Sequence, residues 1–159
     1  MILALFLSLV VSKSIARPAA TAAIVQARTQ NTTLELGGAK LALEVVDNDS
    51  LRTLGLSRRT SLDWDRGMLF VFPEEAPRSF WMIDCRFDLD IAYIDSSGTI
   101  VDIQTMVIEP GVPPQRLRQY PSSSPRVKYA LEVNRGWFGS HGIKVGQRVP
   151  AIAKHTTRR

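Results

Sequence analysis

One cysteine, Cys85, stands in the 159-residue chain. No intramolecular disulfide can form, so packing must hold the fold. The histidines number two, His141 and His155, the latter in a tail expected to be disordered. Cys85 therefore lacks an evident basic partner for nucleophilic work, and a small thiol beside a strand end is the plainer reading. No serine occupies a Gly-x-Ser-x-Gly elbow, and the glycines from Gly136 to Gly142 lack the strand-to-helix setting of a phosphate loop. Internal repeats and coiled-coil heptads are missing as well.

A strong basic field is also lacking. The formal net charge is +5, but a leader cut after Ala16 takes Lys13 with it, and Lys154, Arg158 and Arg159 fall in the tail, which leaves +1 for the remainder. Nucleic-acid binding needs clustered charge to displace counterions from phosphates, so no nucleic acid is expected as a partner. No apolar run approaches the roughly 20 residues that span a bilayer. Ile2 to Val11 is apolar except for Ser8, the length of a signal-peptide core, and small residues follow at Ala16 and Ala19-Ala20. No Lys or Arg precedes the run, so only the α-amino group charges its start. Residues 1–23 are read as a signal peptide cleaved between Ala16 and Ala23, with an uncleaved anchor as the competing reading and the only expected membrane contact. The protein is thus expected to be exported, to the periplasm or beyond. Residues 24–32 form a linker without apolar periodicity, 33–150 a single domain, and 151–159 a basic tail.

With 45% hydrophobic residues, a body of this size can fill one core. The code is mostly β. Thr33 to Leu36 and Lys40 to Val46 flank Gly37-Gly38, a pair suited to a two-residue hairpin. Asp47 to Ser50 offers N-cap side chains, Leu51 and Leu54 recur at helical spacing, and Gly55 can end a short helix in the left-handed conformation. Met68 to Phe72 is apolar on both faces and stops at Pro73, and Ser79 to Ile83 is a second such run; both read as central strands. Leu89 to Asp95 and Thr99 to Val107 bracket Ser96-Ser97-Gly98 as a hairpin, Tyr129 to Val133 adds a strand, and Gly146 to Val149 a last edge strand. A short helix or loop is expected around Trp137-Phe138. The fold class is mainly β: a single-domain jelly-roll-like sandwich or barrel of short strands with one or two short helices. Glu109 to Arg126 breaks the rhythm with five prolines and three consecutive serines. A loop that long is either functional or a Pro-stiffened connection; Tyr120, with Arg116, Arg118 and Arg126 near by, would suit a polar or anionic ligand.

Arg52 with Gly55-Leu56, Gly67-Met68-Leu69-Phe70-Val71-Phe72, Phe80-Trp81-Met82, Leu89-Asp90-Ile91, Tyr120-Pro121-Ser122, Ala130-Leu131-Glu132 and Gly142-Ile143-Lys144-Val145-Gly146 follow one another along the chain. In that order they resemble the successive motifs of the domain of unknown function 192 family, from about Leu34 to Val149. The resemblance implies a mainly β, jelly-roll-like domain, often exported in bacteria, with no established activity. The chain departs from the family pattern at Ser57, where a Met commonly stands, and at Asp84, where an Asn usually follows Phe-Trp-Met. It also lacks the cysteines that many members carry in the long loop. The change at Asp84 replaces a neutral amide with a charge.

Carboxylates inside apolar motifs need a reason, because burying one without a partner is costly. Asp84, Asp88 and Asp90 would share one face of a continuous extended segment and could then hold a hard cation; a bend would scatter them. The bland alternative for Asp90 is a structural hydrogen bond, or an ion pair with an arginine such as Arg52. Asp90 and Glu132 are the best pair for acid/base work on a glycoside, should they face one groove. Met68, Met82 and Met106 read as core rather than copper ligands. Trp81 reads as buried with its N–H bonded, or as a flat wall for a ligand. Two sequons, at Asn31 and Asn48, matter only in a host that glycosylates exported chains.

These readings converge on a binding or accessory module with a small polar cleft made by Arg52, Trp81, Asp84, Asp90, Tyr120 and Glu132. It takes a small polar or anionic ligand, with no metal, no cofactor and no catalytic residue assigned. A carboxylate-dependent hydrolase or lyase on envelope carbohydrate is the first alternative, and a purely structural domain the second.

Overall fold

A computed structural model describes residues 30–149 and Ile152. The expected signal peptide, most of the linker and the tail apart from Ile152 lie outside those residues. Strands β1 (Gln30–Leu36) and β2 (Ala39–Val46) form the expected hairpin, with β1 starting three residues earlier than Thr33. Gly37 and Gly38 make its turn with φ of 61° and 79°, values a tight primed turn requires and side chains resist. The helix α1 (Asp49–Leu54) is capped by Asn48, whose Oδ1 accepts from the Leu51 N–H at 3.0 Å. Gly55 closes it with φ 50° and ψ −136°, outside the left-handed helical region expected for it. Next come β3 (Arg66–Ala76), the two-residue β4 (Ser79–Phe80), β5 (Leu89–Ile94) and β6 (Ile100–Met106). A 3-10 turn (Pro114–Arg116), β7 (Tyr120–Pro121), β8 (Val127–Asn134) and α2 (Trp137–Ser140) complete the order.

The main sheet runs β1-β2-β3-β8-β5-β6 and is mixed, since β2 and β3 are parallel while every other neighbouring pair is antiparallel. The fold is thus mainly β and a single unit. The sheet is open, because β1 and β6 end it on opposite sides rather than closing a barrel. Among the described residues a ribbon of β4 with β7 forms a second, two-stranded sheet. The run Ser79 to Ile83, read as a central strand, pairs only at Ser79 and Phe80. Beyond them the chain turns, with the Cys85 N–H on the Met82 carbonyl and Asp84 at φ 54°, which takes Trp81 to the surface. Gly146 to Val149 likewise supplies one isolated bridge, Thr99 to Arg148, in place of a strand.

Both faces of the sheet are covered, which explains why β3, β5 and β8 read as near-continuous apolar runs. Every residue of β5 is buried. On one face Leu69, Val71, Ile94, Leu131 and Val133 pack against Trp137 and Phe138 of α2. On the other, Met68, Phe70, Ile91, Tyr93 and Ala130 pack against Leu56, Met82 and Tyr120. Each such side chain contributes about 1.5–3 kcal/mol when fully buried. Met68, Met82 and Met106 all belong to this second core.

Candidate functional site

The strand register decides which carboxylates can meet. Glu132 on β8 lies opposite Met68 of β3 and Ile91 of β5, whereas Asp90 lies opposite Val133 and Thr105. Cross-strand partners share a face and sequence neighbours alternate, so Glu132 points to the Met82–Tyr120 side and Asp90 to the α2 side. The pair proposed for glycoside chemistry is therefore split across the sheet. Asp90 has structural partners: its carboxylate accepts from Thr105 Oγ1 and from the Gly136 N–H, both at 2.8 Å, which ties the entry of α2 to the sheet. It does not pair with Arg52, which bonds the Val71 carbonyl and Asp49 instead.

Glu132 is as buried as Asp90, each 5% exposed, yet among the described residues no hydrogen bond or ion pair reaches its carboxyl. Burial alone pushes its pKa up to about 8, because removing water disfavours the charged form. Its carboxyl is at the floor of a cleft of about 450 Å³, within the range of small-molecule sites. Phe70, Phe72 and Phe80 form one wall, with Phe80 edge-on to Phe70 at 5.0 Å and to Phe72 at 6.4 Å. The residues from Arg52 to Ser57 form the other, pinned by Ser57 Oγ donating to the Ile83 carbonyl at 2.9 Å. Gln119, from the Pro-rich loop, and Trp81, which is 45% exposed, complete the rim.

Two guanidiniums flank the Phe72 ring, Arg78 at 4.0 Å and Arg52 at 5.5 Å from its centroid. Arg78 bonds the Glu74 carbonyl through Nη2, while its buried Nε has no partner among the described residues. Burial first, and then the Arg52 charge, lower its pKa. Cys85 also lines the cleft. Its thiol is pushed up to about 11, chiefly by burial and then by the charges of Glu132 and Asp84, so it is a poor nucleophile at neutral pH.

Of the six residues expected to share a site, Arg52, Trp81 and Glu132 line this cleft and Asp84, Asp90 and Tyr120 do not. Asp84 sits on an exposed turn, where its carboxylate faces Arg58 Nε at 3.4 Å. Tyr120 is buried: its hydroxyl accepts from the Val107 N–H at 3.0 Å and its carbonyl accepts from the Tyr93 hydroxyl. It anchors the long loop. Asp88 accepts from the Ile108 N–H and pairs with Arg135 at 2.8 Å. The three aspartates thus serve three separate places, and among the described residues no group of three acidic, His or Cys side chains could hold a metal ion. Arg78, Phe72, Phe80 and Gln119 had no site role in the sequence reading. Only the density of aromatics around Pro73 and Arg78 hinted at one.

The chain belongs to the domain of unknown function 192 family (DUF192, an uncharacterized ACR), whose model matches residues 32–151. The seven ordered motifs anticipated this family. The fold is similar to that of a protein from Sinorhizobium meliloti 1021, provisionally named a transcription regulator, with 33% identity, 73% of this chain and 87% of that chain covered, and a TM-score of 0.60. A protein of unknown function from Novosphingobium aromaticivorans DSM 12444 shares the fold at 24% identity, covering 86% of this chain and 96% of that chain with a TM-score of 0.61. No curated protein matches the chain.

Proposed function

We propose that this protein is a small-molecule binding module whose site is the Glu132 cleft. One observation carries the reading: a buried carboxyl without a polar partner opens into an aromatic-walled concavity. Buried polar groups are almost always satisfied from within, so an orphan facing a cavity calls for a partner from outside. The cleft offers shape, apolar surface and a few polar groups, but no activated nucleophile and no carboxylate pair. Binding therefore has more support than hydrolysis. The provisional name of the Sinorhizobium meliloti protein invites nucleic acid as a partner. The charge of the described body argues against it, since fourteen basic residues face fifteen acidic ones between positions 30 and 149.

The test is a small-molecule screen on the full chain, followed by amide NMR shifts. Ligands that shift Gly55, Phe80 and Leu131, and lose their effect in Phe80→Ala, are expected. Hits that map only to the opposite face, or no hit at all, would sink the reading. We also propose export directed by the apolar segment at Ile2 to Val11. The observation behind it is that run and the small residues after it. Fractionation of a tagged chain, with the N-terminus of the recovered protein sequenced, should give a mature start between Ala16 and Ala23; an intact Met1 in the cytoplasmic fraction would reject export.

A further inference from the structure

The two ends of the cleft differ in character. At one end Glu132 faces Met68 across the sheet; at the other Arg52 and Arg78 flank Phe72. Met68 and Phe72 are four residues apart on one strand, about 13 Å at the usual rise of ~3.3 Å per residue. Phe70 lies between, and Phe80 meets it edge-on, so the middle of the cleft is lined by aromatic surface. Each end also has an unmet hydrogen-bonding demand among the described residues: Arg78 Nε is a buried donor without an acceptor, and the Glu132 carboxyl, which opens to the cleft, meets no protein donor. Asp49 and Glu74 offset the positive end only weakly. Asp49 is 98% exposed and meets Arg52 alone, and Glu74 is exposed and meets Arg78 through its backbone carbonyl.

We propose that the ligand is a small amphipathic organic acid, an inference that rests on the cleft being a binding site. Its carboxylate lies between Arg52 and Arg78, its flat apolar body lies along Phe72, Phe70 and Phe80, and a hydroxyl at its far end meets Glu132. A hydroxyl suits that position because it both donates and accepts, and so satisfies the Glu132 carboxyl in either protonation state. Arg suits the other end because a planar guanidinium receives a carboxylate through paired N–H groups while resting on an aromatic face. A ligand of inverted polarity, with an ammonium toward the arginines, would meet like charge.

Three probes of nearly equal size separate these contributions: 3-(4-hydroxyphenyl)propionate, 3-phenylpropionate, which lacks the hydroxyl, and tyramine, in which an amine replaces the acid. Titrated into the full chain by amide NMR, the hydroxy acid should bind best. The acid without hydroxyl should bind about three- to tenfold more weakly, and tyramine at least tenfold more weakly. Arg78→Gln should weaken the hydroxy acid at least tenfold and should strengthen tyramine or leave it no weaker, because the substitution removes a like charge. Tyramine binding as well as the acid would overturn the proposal. So would acid binding indifferent to Arg78→Gln, or no cleft shift from any of the three. Should Arg78→Gln not fold, the ranking of the three probes on the unaltered chain decides alone. If all three fail while screen compounds of other chemistry shift the cleft amides, the binding site stands and only the acid is wrong.

Discussion

Asp90 and Glu132 are equally buried carboxyls on neighbouring strands of one sheet, and they have opposite surroundings. On the α2 face, Asp90 is filled by a hydroxyl and a backbone N–H. On the cleft face, Glu132 has neither. The difference teaches that burial by itself does not single out a candidate site carboxylate; unsatisfied burial beside open volume does. One carboxylate ties two elements together, and the other, without a protein partner among the described residues, costs stability at neutral pH.

The largest expected effect breaks this symmetry through pH. The pKa of Glu132 is raised from 4.5 to about 8 on folding, so between those values the folded state holds a proton that the unfolded state has released. Stability from this group is complete below 4.5 and is lost as pH rises through 8. The loss is on the order of 4 kcal/mol. Urea melts at pH 5 and pH 9 should show it in the unaltered chain, and Glu132→Gln should flatten that part of the dependence. Equal slopes for the two proteins would refute the orphan reading of Glu132.

Next in size, Asp90→Ala should cost about 2–3 kcal/mol, because it removes two charge-assisted hydrogen bonds, from the Gly136 N–H and the Thr105 hydroxyl, that tie the entry of α2 to the sheet. Chemical denaturation measures it, and cleft ligands should still bind the folded fraction unchanged. A loss of affinity out of proportion to stability would make Asp90 more than a tie. A smaller effect, about 1–2 kcal/mol, is expected for Tyr120→Phe, which removes the acceptor for the Val107 N–H while keeping the ring. Melting by circular dichroism checks it. The smallest is Asp84→Asn. Its contact with Arg58 is between side chains 57% and 77% exposed, so stability should move by less than about 0.5 kcal/mol. A drop beyond 1 kcal/mol would give the acidic departure from the family pattern a role that its position does not suggest.

Much of this architecture is legible in the residues. Alternation and turn chemistry locate the β1–β2 hairpin, α1 with its Asn48 cap and the β5–β6 hairpin, because those signals are local. Ser79 to Ile83 misleads because its apolar residues serve two partners rather than a ladder: Phe80 and Met82 dip into the core while Trp81 turns outward. Composition reads alike for a strand and for such a loop. The site is half legible for a related reason. Arg52, Trp81 and Glu132 converge, but which face Glu132 takes depends on its register against β3 and β5, and register is a long-range property. Arg78 is not legible as a site residue because its position on Phe72 is set by the turn after β3 and by the irregularity within β3, whose ladder with β8 shifts between Val71 and Ala76.

The place of β8 in the sheet has a consequence for synthesis. It is the last strand in sequence and lies between β3 and β5, so a ribosome must deliver Asn134 before either of those strands can complete its pairing. Until then the nascent chain carries two apolar strands with a free edge each, the condition that invites pairing with other chains. Glu132 arrives on the strand that closes the gap. A chain halted before Val127 would keep the aromatic wall and both arginines, yet it would have no floor and no sheet to hold them. Pulse-labelled fragments ending near residue 126 should accordingly be captured by chaperones, and release should coincide with the emergence of β8.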